Sequence, residues 1–302
     1  MIHLRQLTAE KIRKYQRKCS GRGNPRPWIP FKARACNLGI VFILTLLAFA
    51  MGCQKQKAGI TVAGSTSVEP FAEFLAEEYM MRHPQAHIYV QGGGSTAGVQ
   101  AVRSGVAQIG MSSRELTAKE QDIYSIMIAR YAIAIIVHLK NPVKDLSLGR
   151  AREVFAGRVR NWRDLGGEDR RIILVTREEG SGTREAFQKM VMGKDAIALE
   201  ALVQDSNGAI RQVVSGDAHA IGYISLGLVN EKVRALSISG VEPSADNVIN
   251  ETYALVRPFL FLLNGQPTGE VKSFLEFVMS PESQRLLSKE GLVSVLRSSS
   301  GG

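Results

Sequence analysis

The chain has 302 residues, 45% hydrophobic and 22% charged, which is typical of a globular protein long enough for two domains with their own cores. Its formal net charge of +10 suggests a nucleic acid or an anionic membrane as partner, but the excess is local. Of the 38 basic and 28 acidic residues, ten and one lie in 1–52, which leaves 28 and 27 for 53–302. Because the body is nearly neutral, we predict no nucleic-acid partner.

The basic leader precedes an uncharged apolar segment over 38–50 and then the sequence Met51-Gly52-Cys53. A positive region, an apolar region and small residues before a cysteine are typical of an export signal, and this ending resembles a bacterial lipoprotein cleavage site. We predict that 1–52 is a lipoprotein signal peptide and that lipidated Cys53 anchors an exported protein to a bacterial membrane, in the periplasm or at the cell surface. The alternative is a single transmembrane anchor, because the apolar segment borders on spanning length.

The three cysteines, Cys19, Cys36 and Cys53, lie in this leader or at its boundary. The body after Cys53 therefore has no cysteine for a disulfide, a nucleophile or a metal ligand. Thiol catalysis and cysteine-ligated metals are excluded for that part of the chain.

After the leader, a strand, a loop of small residues and a helix follow one another. The strand is predicted over 59–63, and the loop is Gly64-Ser65-Thr66-Ser67-Val68. The helix begins at Glu69, with Pro70 in its first turn, where the missing N–H costs nothing.

The same order recurs further along the chain. A strand over 87–90 leads into a glycine-rich loop over 91–98 and a short helix. A third strand over 107–111 ends in Ser112-Ser113-Arg114, and the pattern from Thr117 to Glu120 predicts a capping box with a helix after it.

A further loop lies between an apolar strand predicted over 171–175 and a helix predicted over 185–191. Gly180 and Gly182 allow backbone N–H groups to face a ligand, Ser181 and Thr183 add hydroxyl groups, and a helix N-terminus favours an anion. Arg177 adds a planar fork of donors, which Glu179 is near enough to hold by a salt bridge. These features predict an anion-binding loop, and the alternative is an ordinary helix cap beside a surface arginine.

The rest of the chain continues the alternation. Strands are predicted over 131–137, 220–224 and 253–262, the last broken by Arg257-Pro258, and helices near 150–155 and 270–279 and after Ser280. Such an order predicts an α/β fold with largely parallel sheets. Every candidate anion loop follows a strand, at the sheet edge where open α/β folds bind their ligands.

Enzyme functions find little support among these residues. The loop over 92–97 nearly matches the dinucleotide pattern G-x-G-x-x-A, but Ser112 and Ser113 stand where an acidic residue is needed. No G-x-x-x-x-G-K-[ST] loop occurs, Ser95 and Ser181 do not lie in G-x-S-x-G, and the histidines have no ligand spacing. We predict a binding protein that is not an enzyme and uses no metal or cofactor.

Four motifs occur in this order along the chain: Gly64 to Val68, Gly94-Ser95-Thr96-Ala97-Gly98, Ile109 to Arg114, and Arg177 to Thr183. Further matches are Phe155-Ala156-Gly157 with Asn161-Trp162, Ile221 to Ser225, and Arg257-Pro258. Over nearly all of 58–296 the chain resembles the PstS-type phosphate-binding proteins of bacterial phosphate ABC importers. The resemblance implies a two-lobed α/β fold of the type II periplasmic-binding class, with the ligand in a cleft between the lobes.

By this resemblance, lobe 1 comprises 58–130 and 252–302, and lobe 2 comprises 131–251. The partners implied are inorganic phosphate and the permease subunits of an ABC importer, and we expect a monomer. The phosphate-binding residues carried over by position are Ser65, Thr66, Ser67, Ser95, Ser113, Arg114, Arg177, Ser181, Gly182 and Thr183, with Glu179 as the salt-bridge partner of the binding arginine.

The chain departs from the family pattern at one site position. Some members have an Asp that accepts the proton of HPO₄²⁻, whereas this chain has Ser113, followed by Arg114 as in other members. A receptor for another tetrahedral oxyanion, such as sulfate, therefore remains the nearest alternative. An exported phosphate-ester enzyme is the alternative from a different class.

Overall fold

The computed structural model describes residues 59–296. The predicted signal peptide and Cys53 lie outside the described residues, and so does the candidate transmembrane segment over 38–50. Among the helices of 59–296, none has both the length and the apolar character needed to span a membrane.

The strands are β1 (Ile60–Gly64), β2 (Ile88–Gly92), β3 (Ile109–Ser112), β4 (Tyr124–His138), β5 (Asp145–Leu146), β6 (Ile173–Arg177), β7 (Leu202–Gln204), β8 (Ala220–Ser225), β9 (Val233–Ala235), β10 (Ser237–Ile238) and β11 (Val256–Leu263). The α-helices are α1 (Glu69–Arg82), α2 (Ser95–Arg103), α3 (Leu148–Phe155), α4 (Gly182–Phe187), α5 (Asn207–Gly216), α6 (Ala245–Ile249), α7 (Gly269–Val278) and α8 (Pro281–Lys289). The predicted alternation of strands and helices is confirmed.

Within 59–296, nine strands form one sheet in the order β2-β1-β3-β11-β4-β8-β6-β7, with β9 also beside β4. Both ends of this sheet are parallel, since β1 runs with β2 and β3, and β6 runs with β7 and β8. The centre is antiparallel, because β4 and β11 run against each other and against β8 and β3 respectively. The predicted largely parallel sheet is therefore wrong for the central strands.

Strand β4 is 15 residues long and connects the two parallel parts of the sheet. Its first half pairs with β11 up to Ala132, and its second half pairs with β8 from Ile133. The sequence pattern predicts only 131–137, because the first half carries exposed residues that interrupt the apolar run. The capping box at Thr117 is confirmed, but it precedes a single 3₁₀ turn over Ala118–Glu120 and not a full helix.

Separate hydrophobic cores flank the two halves of β4. One core includes Tyr131 and Phe259 with residues of β1, β3, α1 and α7, and another begins at Ala132 and includes residues of β8 and α3. The ring of Tyr131 packs edge-on against Phe259 and Phe71, with centroids 5.3 and 5.4 Å apart. The core thus changes within one strand, where the chain crosses from one part of the molecule to the other.

Candidate anion-binding site

Three of the predicted loops meet through buried serine hydroxyls. Ser65, after β1, donates from Oγ to Ser113 Oγ at 2.8 Å, and Ser113 N donates to Ser95 Oγ at 3.0 Å. All three residues are buried. The parallel pairing of β3 and β2 with β1 brings these strand ends to one edge, as the sequence predicted.

The loop after β6 closes against this cluster. Thr183 Oγ1 lies 2.9 Å from Ser67 Oγ, and Ser181 caps α4 by accepting a hydrogen bond from Arg184 N at 3.3 Å. A side chain at position 182 would overlap Ser95 Oγ, and its Cβ would lie 2.7 Å from Ser113 Oγ. Only glycine permits this close approach, so Gly182 serves packing between loops as well as backbone access.

Arg177 is the last residue of β6 and is 1% exposed, whereas the sequence suggested an arginine on a loop. Its Nε and Nη2 donate to the Glu178 carboxylate at 2.8 and 2.9 Å, and Nη2 also donates to Thr66 Oγ1 at 3.2 Å. Its Nη1 is buried and has no hydrogen-bond partner among residues 59–296. Arg177 therefore has a fixed guanidinium with one donor nitrogen still available.

Glu178, and not the predicted Glu179, forms the salt bridge with Arg177. The side chain of Glu179 is exposed, while the adjacent Glu178 is half-buried beside the guanidinium. Both acids lie within two residues of Arg177, so spacing alone could not decide between them.

Arg257, on β11, is a site residue that sequence analysis did not assign. It is 3% exposed, and its Nη1 donates to Ser113 Oγ at 2.9 Å, to Ser113 O at 3.0 Å and to Thr183 Oγ1 at 3.0 Å. Its Nη2 donates to Ser225 Oγ at 2.9 Å and to Ser67 Oγ at 3.1 Å. In 59–296 no carboxylate forms an ion pair with it.

A buried guanidinium without a carboxylate is electrostatically unfavourable. Burial and the nearby charge of Arg177 lower the pKa of Arg257 to about 9. Two arginines and several hydroxyl groups therefore share one buried region, with Glu178 as the carboxylate beside them. This arrangement favours an anion. The signal was present in the sequence, because Arg257 interrupts an apolar strand.

The guanidinium of Arg114 reaches Thr96 Oγ1 at 3.5 Å but does not bond the hydroxyls of Ser65, Ser95 or Ser113, so its predicted role as a ligand is not supported. Its Nη1 and Nη2 donate to Glu120 at 2.7 and 2.9 Å, and its Nε lies 2.6 Å from Glu185 Oε2. The hydrogen bonds from Arg114 lower the pKa of Glu120 to about 2. Glu120 was predicted as a capping residue only, and Glu185 is too distant in sequence to be paired by inspection.

Asn207, at the start of α5, is a second residue that sequence analysis missed. Its Nδ2 donates to Ser67 Oγ at 3.0 Å and to Thr66 Oγ1 at 3.3 Å, and its Oδ1 accepts from Ser225 N at 3.1 Å. These bonds orient the side-chain amide and link the hydroxyls near Arg177 with those near Arg257.

The chemistry of the site is that of binding. Its polar groups are chiefly hydroxyl, amide and guanidinium donors, which suit a small oxyanion. No group of three or more His, Cys, Asp or Glu that could hold a metal ion occurs in the described part of the chain.

Comparisons with known proteins agree with this chemistry. Residues 52–282 match the model of a PBP superfamily domain. The phosphate-binding protein PstS of Bacillus subtilis is 34% identical over 252 residues, which cover 82% of this chain and 84% of the relative. The chain belongs to the family of PstS-type phosphate-binding proteins.

Two solved structures of PstS-type proteins are similar to this chain. One, assigned as a phosphate ABC transporter substrate-binding protein of Clostridium perfringens and solved with bound phosphate, is 39% identical, with a TM-score of 0.77. That match covers 79% of this chain and 100% of the other. The second, an ABC-type phosphate transport receptor of Vibrio cholerae, is 37% identical, with a TM-score of 0.66. That match covers 78% of this chain and 99% of the other. The predicted two-lobed α/β class is thereby confirmed, and the family is one of solute-binding transport proteins, not of enzymes.

Proposed function

We propose that this chain is an exported solute-binding protein that binds inorganic phosphate between its two lobes and delivers it to the permease of an ABC importer. The observation that carries the proposal is the pair of buried arginines, Arg177 and Arg257. Arg177 retains an unpartnered Nη1 within the described residues, and Arg257 contacts hydroxyls and a carbonyl. A dianion placed between them compensates the charge of Arg257 and accepts from the available Nη1 of Arg177, whose own charge is paired with Glu178.

The proposed phosphate site keeps most of the residues named from the sequence and adds two. It comprises Ser65, Thr66, Ser67, Ser95, Ser113, Arg177, Ser181, Gly182 and Thr183, with Arg257 and Asn207 as additions and Glu178 as the partner of Arg177. A micromolar dissociation constant corresponds to about 8 kcal/mol, and hydrogen bonds to a charged group contribute about 1.5–3 kcal/mol each. A handful of such donors therefore suffices, without a metal or a catalytic group.

The remaining parts of the proposal concern the protein's context. We infer lobes formed by 58–130 with 252–302 and by 131–251, and the change of core between Tyr131 and Ala132 supports the first crossing. A monomer anchored through lipidated Cys53, in the periplasm or at the cell surface, is consistent with the leader sequence and with export of the substrate receptor.

Isothermal titration of the purified protein, dialysed free of anions, tests the ligand. We expect phosphate to bind with micromolar or tighter affinity at pH 8, and sulfate is titrated in parallel to measure selectivity. Equal affinity for both would favour the alternative of a receptor for tetrahedral oxyanions in general, which the hydroxyl of Ser113 supports because it replaces a proton-accepting carboxylate. Absence of binding for both anions would contradict the proposed function.

A further inference from the structure

The hydrogen bonds around Arg257 determine the direction of several hydroxyl protons. A hydroxyl group has two acceptor lone pairs and one proton to donate. Ser113 Oγ accepts from Ser65 Oγ at 2.8 Å and from Arg257 Nη1 at 2.9 Å. Because Nη1 has two hydrogens and three acceptors, one N–H points to Thr183 Oγ1 and the other is shared between Ser113 Oγ and Ser113 O. Both lone pairs of Ser113 Oγ are thus engaged, and its proton is left for a ligand.

The hydrogen bonds accepted by Ser67 likewise determine which way the hydroxyl of Thr183 points. Ser67 Oγ accepts from Asn207 Nδ2 at 3.0 Å and from Arg257 Nη2 at 3.1 Å, so in its 2.9 Å contact with Thr183 it is the donor. Thr183 Oγ1 then accepts from Ser67 and, at 3.0 Å, from Arg257 Nη1. Its lone pairs are also occupied, and its proton is directed elsewhere.

The orientation of Asn207 supports this assignment. Its Oδ1 accepts a hydrogen bond from Ser225 N, so the amide nitrogen must face Ser67. Neither Ser113 Oγ nor Thr183 Oγ1 donates a hydrogen bond to another group within 59–296. Because both oxygens bind the same Arg257 nitrogen, their two protons are available within one small region of the site.

Arg257 therefore differs from Arg177 in how it acts. Both terminal nitrogens of Arg257, Nη1 and Nη2, are occupied by protein oxygens and only its Nε has no partner within 59–296, whereas Arg177 keeps the terminal nitrogen Nη1 for a ligand. Arg257 affects the ligand through the hydroxyls that it orients, and through its charge.

We propose that Arg257 is a positioning residue that makes this site selective for the dianionic form of a tetrahedral oxyanion. The inference rests on the proposed function, since it concerns which charge state of phosphate the site accepts. Hydroxyls held as donors match oxygens that carry no proton. The dianion HPO₄²⁻ has three oxygens without a proton and one O–H, whereas the monoanion H₂PO₄⁻ has two of each. The monoanion therefore brings one more O–H that needs an acceptor, and an O–H left unpaired in a buried site lowers affinity.

The pH dependence then comes from the ligand. The ionisable groups whose charges bear on Arg257 are Arg177 from β6, Tyr131 from β4 and Tyr223 from β8. Burial raises the pKa of both tyrosines, so neither loses its proton between pH 5 and 8. Phosphate itself changes from monoanion to dianion near neutral pH.

Titration of the full-length protein with inorganic phosphate at pH 5, 6, 7 and 8 tests the proposal. At a pH where monoanion and dianion are equally abundant, half of the phosphate is in the dianionic form. Below that pH the dianion fraction, and with it the affinity of the wild type, should fall about tenfold for each pH unit. The thermal midpoint of the anion-free protein over the same range shows whether the protein itself titrates. Arg257→Lys keeps the charge but cannot span both sets of hydroxyls, so its pH profile should become flatter, while the exposed control Arg163→Lys should keep the wild-type profile.

A second variant, Thr183→Val, tests the same proposal if the Arg257 variant does not fold. It removes one hydroxyl and no charge. If Thr183 is a donor, Thr183→Val should lower phosphate affinity about 10- to 100-fold at pH 8. The loss at pH 5 should then be no greater than the loss at pH 8. A larger loss at pH 5 than at pH 8 would show that Thr183 accepts a phosphate proton and would overturn the proposal. Phosphate affinity that is independent of pH in the wild type would also overturn it, whereas absence of phosphate binding at every pH would instead contradict the proposed function.

Discussion

Two buried arginines contact the segment around Ser113, and they differ in the charge of their neighbours. Arg114 binds the carboxylates of Glu120 and Glu185. Arg257 binds four hydroxyl oxygens and one carbonyl oxygen, and it lies near a second arginine, Arg177. The first region holds a neutralised cation, and the second holds a cation that an anion can still compensate.

This difference separates structural from functional arginines more clearly than position in a motif does. Arg114 belongs to the Ser-Ser-Arg motif and adjoins a site residue, yet its charge is already balanced. Arg257 is 144 residues away from Ser113 in sequence and donates to its side chain directly. Loss of an arginine whose donors and charge are fully paired should affect folding, and loss of one that keeps a free donor or an uncompensated charge should affect binding.

The largest expected effect is on binding in Arg177→Ala. The variant removes Nη1 and its charge, and hydrogen bonds to a charged group contribute about 1.5–3 kcal/mol each, so phosphate affinity should fall by about 3–6 kcal/mol. The thermal midpoint of the anion-free protein should fall less than in Arg114→Ala, because the Glu178 left behind is only half-buried and the mutation also relieves the repulsion between Arg177 and Arg257. Titration calorimetry and thermal unfolding measure the two effects, with the exposed Arg163→Ala as control. Unchanged affinity would contradict the site assignment.

The opposite result is expected for Arg114→Ala. Removing one partner of a buried ion pair typically costs about 3–5 kcal/mol, because the other charge stays buried without compensation. Arg114→Ala would leave the carboxylate of Glu120 buried without compensation. The free energy of unfolding should therefore fall by about 3–5 kcal/mol, while phosphate affinity changes only a few-fold. Chemical denaturation and calorimetry of the same samples test this, with the exposed pair variant Arg82→Ala as control. A loss of affinity without loss of stability would restore Arg114 as a ligand.

The sequence predicted the loops of the site better than its charges. Ser65, Ser95 and Ser113 follow parallel strands, and strand ends that meet at one sheet edge can be inferred from alternation alone. Arg257 could not be placed in the same way, because β11 enters the site through an antiparallel pairing with β4 and β3. The exposed first half of β4 concealed that pairing.

Ion pairs were the other feature that sequence reasoning could not assign. Arg114 was predicted as a ligand from its position in the family motif. Its two carboxylate partners were not apparent, because Glu185 lies 71 positions away and Glu120 already had a predicted role as a cap. The choice between Glu178 and Glu179 depends on the course of the backbone at the end of β6, which a motif does not specify.

Acid should weaken the Arg114 region selectively. The pKa of Glu120 is about 2 in the folded protein and near 4.5 when unperturbed, so its contribution to stability is present above pH 4.5 and is lost as the pH falls through about 2. The contribution is at most about 3 kcal/mol. Glu120→Gln should lower the free energy of unfolding at pH 6 and approach the wild type near pH 2.

Urea denaturation at pH 6, 4 and 2.5 measures this difference. Glu282→Gln is the matched control, because Glu282 pairs with Arg82 at an exposed position and should show little difference at any pH. A constant gap between Glu120→Gln and the wild type across this range would show that the Arg114 pair does not control acid stability.

The smallest expected effect distinguishes the two acids beside Arg177. Glu178 holds Nε and Nη2 in a bidentate arrangement, so Glu178→Gln should weaken phosphate binding by about 1 kcal/mol through loss of a fixed donor direction. Glu179→Gln should leave the affinity unchanged, because that side chain is exposed and its neighbour makes the salt bridge. Both variants remove one negative charge near the site, so the comparison cancels the general electrostatic effect. Calorimetry at one pH and salt concentration is sufficient, and an equal loss in both variants would mean that the direction of the guanidinium does not depend on Glu178.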